Sequence, residues 1–320
     1  MSGRASQRRG WCPSVLRPME SGDGLIVRVQ PHEQRITAPQ MRALAHAAAQ
    51  FGNGIIELTR RANLQIRGVT AGSLAHLQEA LRETGLFDED AASPPCDVIK
   101  SPIAAIDPQK LRAAIGLTIT QTGRWFGIGI PFGVGFTSQW QGLAGLAERF
   151  GKDEIRLTPW RIVVLPLFAA RDAQALAAEA QALHFITEPQ DTRLSLVACT
   201  GAPACASAMG RTREIAFTLA AEAPTLFDGA TVLHVSGCAK SCAHTGSATI
   251  TLVADKDGYR LGLNASAVEM EYTRPLPLNM IITYLRTLAA RFAREAQPNE
   301  SAAAFLSRIK PALPGAIENV

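Results

Sequence analysis

The chain has 320 residues, 47% of them hydrophobic and 19% charged, which is the composition of a globular protein with one large or two smaller domains. Its net charge of +4 is mild and dispersed, without the lysine and arginine blocks of a nucleic-acid-binding surface. No run of about 18 apolar residues predicts a membrane span, and no apolar signal segment follows the basic N-terminus. We therefore expect a cytoplasmic protein that binds neither membranes nor nucleic acids.

The first predicted elements are a strand, a helix and a hairpin. The run "GLIVRVQ" is strand-like, and Thr37 and Pro39 are suited to the cap and first turn of a helix that ends before Gly52. Two short strands follow, "GIIELT" and "LQIRGV", and the turn "RRAN" joins them.

The same order of elements returns 99 residues later. Between 44–59 and 143–158, eight of sixteen residues are identical without a gap. The strands of the second copy are "WFGIGIPF", "EIRLT" and "RIVVLPL". The repeat predicts two strand–helix–hairpin units related by a pseudo-twofold axis, with Phe51 and Phe150 at equivalent buried positions. Ligands often lie between such lobes.

The remainder of the chain predicts an α/β lobe. Between the copies, "SLAHLQEALRETGLF" is an amphipathic helix, and a Pro-rich loop follows it. A helix over about 171–183 precedes the strands "RLSLVAC" and "TVLHVS", which are separated by a helix starting near Pro203. A hairpin turns at Asp257-Gly258. Two final helices are predicted at about 276–294 and 300–310.

Four of the six cysteines share one setting. Each pair ends a predicted strand, lies beside small residues and leads into a predicted helix, so the four thiols are expected to meet near helix N-termini. Three interpretations fit them: a structural zinc site, an iron–sulfur cluster, or four separate buried cysteines. Cys12 and Cys96 stand alone in loops and are expected to take no part. The four cysteines are Cys199, Cys205, Cys238 and Cys242.

The cysteine spacing, C-x5-C and then G-C-x3-C some thirty residues later, resembles the cluster pattern of the sulfite/nitrite reductase superfamily. Within it, "RGWCPSVLRPMESGDGLIVRVQP", "FGNGIIELTRRANLQIRG" and "IRLTPWR" are similar to the precorrin-3B synthase branch. The resemblance covers about 10–70, 94–108 and 125–265. It implies an α+β fold of duplicated ferredoxin-like half-domains with pseudo-twofold symmetry, plus an α/β iron–sulfur lobe and an abbreviated first lobe.

The implied domains follow the predicted elements. They are a first half-domain, a linker with the abbreviated first lobe, a second half-domain, the iron–sulfur lobe and the C-terminal helices, at 15–70, 71–122, 123–170, 171–270 and 271–320. The abbreviated lobe has no lysine pair matching the anion-binding lysines of the reductases. This weighs against sulfite or nitrite as the substrate.

The resemblance also implies a cofactor and a reaction. The four cysteines of the pattern would ligate a 4Fe–4S cluster, and Cys242 would take the place of the thiolate that bridges to sirohaem iron in the reductases. The implied reaction is an oxygen-dependent monooxygenation of the tetrapyrrole precorrin-3A, which hydroxylates C20, closes a lactone and gives precorrin-3B. A second iron or a sirohaem-like tetrapyrrole is a further cofactor to consider. The alternatives are a sirohaem-dependent reductase of sulfite or nitrite and a non-catalytic iron–sulfur protein.

Arginines are the candidate ligands of the substrate carboxylates, because the guanidinium fork pairs with a carboxylate bidentately. Arg61, in "TRRANLQ", matches the arginine with which the reductases contact their anionic substrate, so it is both a catalytic and a binding candidate. His244 is the second catalytic candidate, and His234 is a weaker one. We expect the arginines to share one cavity that faces the cluster. They are Arg61, Arg67 and Arg161, with Arg28 and Arg124 as second choices.

Overall fold

The computed structural model describes residues 13–87, 112–121 and 123–314. Contacts divide these residues into two compact units, one within Gly10–Pro189 and one within Gln190–Val320. The boundary follows Pro189. The helix after the second copy of the repeat therefore belongs with the repeats, and not with the iron–sulfur lobe that we expected to begin at position 171.

The first copy of the repeat forms five strands and two helices. They are β1 Met19–Ser21, β2 Gly24–Val29, β3 Arg35–Thr37, α1 Ala38–Phe51, β4 Ile55–Leu58, β5 Leu64–Val69 and α2 Leu74–Glu83. Thr37 caps α1 as predicted: its Oγ1 accepts from the backbone N–H of Gln40 at 3.3 Å, and Gln40 Oε1 accepts from the N–H of Thr37 at 3.1 Å. Gly52 follows α1 where an added Cβ would lie 2.5 Å from the carbonyl oxygen of Arg67, so no larger residue fits there.

The second copy forms the same elements in the same order. They are β6 Gly116–Thr120, β7 Gly123–Gly129, β8 Val134–Phe136, α3 Thr137–Phe150, β9 Glu154–Leu157, β10 Ile162–Pro166 and α4 Ala173–Ala182. The predicted helix over about 171–183 is α4 and is confirmed. The two sheets have the strand orders β1-β2-β5-β4-β8 and β3-β9-β10-β7-β6.

Each copy contributes one short strand to the sheet of the other copy. Strand β8 pairs antiparallel with β4, where Gly135 lies opposite Ile56, and β3 pairs antiparallel with β9, where Ile36 lies opposite Ile155. The two pairings are equivalent because Ile155 follows Ile56, and Gly135 follows Ile36, by the same 99 residues. The patterns in the sequence predicted neither β3 nor β8.

Backbone hydrogen bonds repeat with the same symmetry. The N–H of Ala38 donates to the carbonyl of Asp153 at 3.3 Å, and the N–H of Thr137 donates to the carbonyl of Gly54 at 3.0 Å. The two donors, Ala38 and Thr137, are 99 residues apart, and so are the two acceptors, Gly54 and Asp153. The predicted pseudo-twofold relation between the copies is confirmed.

Phe51 and Phe150 end α1 and α3 at equivalent positions, but the prediction that they are buried is wrong. Both are half-buried and pack on the margin of the core. Phe51 stacks with His76 at 6.0 Å between ring centroids, and the guanidinium of Arg149 lies 5.2 Å from the ring centroid of Phe150. The last residue of each helix lies at the edge of the packed layer, which leaves part of each ring in water.

Trp140 on α3 connects the helix layer to β8, the strand that the second copy contributes to the sheet of the first. It is fully buried, and its indole N–H is shared between the carbonyl oxygens of Ile56 and Gly135, each at 3.2 Å. These two residues are directly opposite each other on β4 and β8. The indole therefore holds the pairing between the two copies from the core side.

Trp140→Phe should lower the free energy of unfolding by about 1–2 kcal/mol, since the ring stays apolar but the buried carbonyls lose their shared donor. Urea unfolding measures the change. Trp160→Phe, at a half-buried position in the β9–β10 turn, is the matched control. Equal losses in both variants would contradict a special role for the indole N–H of Trp140.

The second unit is an α/β lobe with two further helices. Its elements are β11 Leu196–Ala198, α5 Thr212–Glu222, β12 Leu233–Ser236, β13 Ala248–Asp255, β14 Gly258–Ala265, α6 Leu278–Glu295 and α7 Ala302–Ile309. The sheet order is β11-β12-β13-β14, with the first three strands parallel and β14 antiparallel. The predicted hairpin at Asp257-Gly258 and the two final helices are confirmed.

The predicted start of α5 near Pro203 is wrong, because residues 199–211 form turns and the helix begins at Thr212. The backbone of this segment closes on itself through a bond from the N–H of Ala202 to the carbonyl of Gly210, at 2.9 Å. In residues 13–87, 112–121 and 123–314, no helix is both long and apolar enough to cross a lipid bilayer.

Candidate metal centre

The carboxyl ends of β11 and β12 bring two of the predicted cysteines together. The strands are parallel neighbours, with Ala198 opposite Val235, so the chain leaves both strands at the same edge of the sheet. Cys199 follows β11 directly, and Cys238 comes two residues after β12. The backbone N–H of Gly237 donates to Sγ of Cys199 at 3.1 Å and joins the two strand ends.

The loop after β11 carries Cys205 and is held against the loop after β12. The N–H of Cys205 donates to the carbonyl of Gly201 at 2.9 Å, and the N–H of Met209 donates to the carbonyl of Gly237 at 2.8 Å. An added Cβ at Gly237 would lie 2.6 Å from Cβ of Ala208, so glycine is required for this close approach. The two cysteine-bearing loops therefore form one packed structure.

All four thiols are close enough to affect each other electrostatically. Partial burial raises the pKa of the Cys238 thiol, and the charges of Cys199 and Cys205 raise it further. Part of Cys242 is exposed to solvent, but partial burial of its sulfur raises the pKa of the thiol. The charges of the other three cysteines raise that pKa further. The four cysteines thus lie on two packed loops, near enough for their charges to interact, and their convergence on one cluster stays a prediction. We call this group the four-thiol site.

The donor set of the four-thiol site fits an iron–sulfur cluster. The four cysteines are free, and within the described ranges no three His, Cys, Asp or Glu side chains converge tightly enough to hold a single metal ion. A tetrahedral zinc site needs sulfurs about 4 Å apart, whereas a cubane places its ligand sulfurs farther from each other. The N–H of Gly237 on Sγ of Cys199 is a hydrogen bond of the kind that tunes cluster sulfurs. Cys12 and Cys96 lie outside the described residues.

The two candidate histidines are in contact beside the four-thiol site. His234 is buried on β12, and its ring meets that of His244 edge to face, with centroids 5.5 Å apart. Nε2 of His244 lies 3.1 Å from the carbonyl oxygen of Ser247, and the carbonyl of His244 accepts from the Ser241 hydroxyl. These contacts order the loop that carries Cys242.

Arg61 and Arg161 lie in the equivalent hairpin turns of the two copies, and Gly133 lies near the start of the first turn and the side chain of Arg161. An added Cβ at Gly133 would lie 2.5 Å from the carbonyl oxygen of Leu58 and 3.1 Å from Cγ of Arg161. Leu58 ends β4 just before the turn that carries Arg61, whose backbone N–H donates to Thr59 Oγ1 at 3.3 Å. The structure thus brings the β4–β5 turn and the side chain of Arg161 to the same part of the repeat unit.

The buried guanidinium of Arg67 is bound by two carboxylates. Its guanidinium donates to both carboxylate oxygens of Asp23, at 2.9 and 2.7 Å, and to Glu57 at 3.3 Å. Gln65 donates to Glu57 at 2.6 Å and accepts from Arg28 at 3.1 Å, so the chain of contacts continues across the sheet. These bonds give Arg67 a structural role within the first sheet. Arg124, by contrast, is exposed on β7.

Two further polar residues organise the four-thiol site; the sequence patterns missed Thr212, and they indicated Lys240 only as a charge near the thiols. Thr212, the first residue of α5, donates its hydroxyl to the carbonyl of Cys199 at 2.6 Å. Lys240 donates from Nζ to Oγ of Ser207 at 2.8 Å and thereby connects the two loops. The small residues around the cysteines were the available signal, but they did not indicate which side chains cross between the loops.

Two segments of the chain, 17–84 and 119–183, match the family model of the nitrite/sulfite reductase ferredoxin-like half domain. The segments correspond to the two copies of the repeat, each with the helix that follows its hairpin. This agreement identifies the repeat as a pair of such half-domains.

Known proteins are similar to the chain over different lengths. Precorrin-3B synthase of Sinorhizobium sp is 28% identical over 82% of this chain and 84% of that protein. The chloroplastic ferredoxin–nitrite reductase of Oryza sativa subsp. japonica is 30% identical, but over 39% of this chain and 22% of that protein. The similarity to the synthase thus extends through most of both chains, whereas the similarity to the reductase is partial.

Among solved structures, the Mycobacterium tuberculosis NirA protein has the same fold. It superposes with a TM-score of 0.67 over 89% of this chain and 83% of that one, at 15% sequence identity. Fold, repeat and sequence similarity agree with one another. The chain is similar in sequence to precorrin-3B synthase over most of its length, and it contains two half-domains of the nitrite/sulfite reductase type on a fold shared with NirA.

Proposed function

We propose that this protein is an oxygen-dependent monooxygenase of cobalamin biosynthesis that converts precorrin-3A to precorrin-3B. The observation that carries the proposal is the four-thiol site, in which two packed loops at one sheet edge carry the four cysteines. The similarity to precorrin-3B synthase over 82% of the chain supports the choice of substrate.

Cys199, Cys205, Cys238 and Cys242 are the proposed ligands of a 4Fe–4S cluster. When bound, the cluster supplies one-electron transfer. The N–H of Gly237 donates to Sγ of Cys199, and the hydroxyl of Thr212 at the start of α5 donates to the carbonyl of the same residue. These contacts fix the position of Cys199 at the end of β11.

The overall reaction defines what the protein has to provide. One atom of O2 enters the substrate at C20 and the other leaves as water, which consumes two electrons and two protons from outside the substrate. In the same conversion a side-chain carboxylate of the macrocycle closes the lactone, and the hydroxyl group stays on C20. The protein must therefore bind an anionic tetrapyrrole in a fixed orientation and deliver electrons to oxygen from an external donor.

Arg61 and Arg161 are the proposed ligands of the substrate carboxylates. Both are half-buried and lie in turns that approach Gly133, so they offer positive charge from both copies of the repeat. Arg28 is a further candidate, oriented by Gln65 at 3.1 Å. We leave Arg67 out of the binding site because Asp23 and Glu57 already occupy its guanidinium.

The decisive assay incubates the purified protein with precorrin-3A, an electron donor and 18O-labelled O2. We expect one labelled oxygen atom in the product and a visible spectrum with a broad violet shoulder. A strong Soret band with a second band in the red would indicate sirohaem and favour a reductase. A protein with its full cluster that leaves precorrin-3A unchanged would refute the proposed reaction.

Arg61→Ala should reduce turnover or substrate affinity on the order of tenfold to a hundredfold, because a hydrogen bond to a charged group is worth about 1.5–3 kcal/mol. Iron and sulfide content should not change. Arg171→Ala is the control, since the Arg171 side chain is 89% exposed and pairs only loosely with Asp172, at 3.9 Å. Unchanged turnover in Arg61→Ala would remove this residue from the site, and loss of the cluster would give it a structural role.

A further inference from the structure

Lys240 lies between two of the proposed ligands and reaches the loop of a third. It separates Cys238 from Cys242 in the loop after β12. Its Nζ donates to Oγ of Ser207 at 2.8 Å, and Ser207 is two residues beyond Cys205 in the loop after β11. One side chain therefore connects the two loops on which the four-thiol site depends.

No carboxylate neutralises the charge of Lys240 among the residues that the structure describes, and its ammonium donates to a hydroxyl instead. Arg211, the basic residue before α5, pairs with Glu214 at 2.9 Å. Lys240 is two residues from Cys238 and two residues from Cys242, and Ser207 holds its ammonium at the loop of Cys205. Its positive charge is therefore placed between the two loops that carry the four-thiol site.

We infer that Lys240 is a positioning residue that holds the two cysteine loops together through Ser207 and raises the reduction potential of the cluster. Reduction adds negative charge to a cluster, and a nearby ammonium group stabilises that charge. The inference rests on the proposed cluster ligation. It is independent of the proposed substrate.

Redox titration of the purified protein, followed by electron paramagnetic resonance, tests the inference. In Lys240→Gln, the equilibrium for reduction should shift threefold to tenfold toward the oxidised cluster, where tenfold corresponds to 59 mV for a one-electron couple. Lys240→Arg keeps the charge, so its equilibrium constant for reduction should stay within twofold of that of the unmodified protein. Ser207→Ala removes the anchor but not the charge, so it should shift in the same direction by a smaller amount.

Lys256→Gln is the control for loss of a lysine charge in the same unit. Its side chain is 82% exposed beside Asp257, in the turn between β13 and β14 and outside both cysteine loops. A shift in Lys240→Gln no larger than that in Lys256→Gln would overturn the inference. If Lys240→Gln does not retain iron, Ser207→Ala is the test of the inference. A reduction equilibrium in Ser207→Ala equal to that of the unmodified protein would overturn it. Unmodified protein without iron and sulfide would instead overturn the proposed function itself.

Discussion

Replacing Cys242 with serine should abolish cluster binding, so that bound iron falls from about four atoms per chain to fewer than one. A serine hydroxyl stays protonated where a cysteine thiolate would form, and it is a poor ligand for the soft iron–sulfur core. Turnover of precorrin-3A should fall by about a hundredfold or more, because the electrons for oxygen reduction lose their relay. Iron and acid-labile sulfide assays, with the visible spectrum, measure the loss.

The position of Cys242 makes the result easy to interpret. Cys242 is the exposed member of the four-thiol site, so the substitution leaves the packing of the lobe largely unchanged. Cys12→Ser and Cys96→Ser are the matched controls, since neither residue belongs to the cysteine pattern. Full iron and sulfide content in Cys242→Ser would exclude this residue as a ligand. An equal loss of iron in the two controls would show that the cysteine pattern does not identify the cluster ligands.

Arg67→Ala should destabilise the repeat unit by about 3–5 kcal/mol, because it leaves the buried Glu57 and the half-buried Asp23 without their cation. The Arg67 side chain is 3% exposed, and those of its partners Asp23 and Glu57 are 16% and 9% exposed. All four tryptophans of the chain lie within Gly10–Pro189, so tryptophan fluorescence during urea unfolding reports on this unit alone.

An exposed ion pair of the same unit provides the comparison. Arg42 pairs with Glu148 between α1 and α3, with side chains 45% and 39% exposed. Arg42→Ala should therefore cost about 0–1 kcal/mol, as surface ion pairs generally do. The loss of unfolding free energy in Arg67→Lys should lie between those of Arg67→Ala and Arg42→Ala. Lysine keeps the positive charge but loses the forked guanidinium that pairs with both oxygens of Asp23. Similar losses in Arg67→Ala and Arg42→Ala would show that burial does not control the cost.

Local signals made the repeat predictable. The cap at Thr37 and the glycine after Phe51 depend on neighbouring residues alone, so the predicted and observed bounds of α1 agree closely. Strands β3 and β8 depend on partners in the other copy, and three residues are too few to show a period of two. Only the assembled unit shows why these segments are extended.

The site was predictable to a similar extent. Strand ends followed by cysteines and small residues indicated convergence, because parallel neighbours end at one edge. The alanine-rich segment after Cys199 suggested a helix, but the bond between Ala202 and Gly210 closes it into turns. Arg67 looked like an anion-binding residue because Asp23, its partner, lies 44 positions away in the sequence. That pairing requires the register of the folded sheet.

Because each copy completes the sheet of the other, a protein consisting of one copy would form this structure only as a homodimer of identical chains. Fusion of two genes into one removes the requirement that both halves be identical. Glu57 and Arg156 occupy equivalent places on β4 and β9, 99 residues apart, and carry opposite charges. A homodimer cannot differ in this way at its two related positions. A single chain with two copies can therefore place different charges at related positions of a symmetric framework, as recognition of an asymmetric ligand requires.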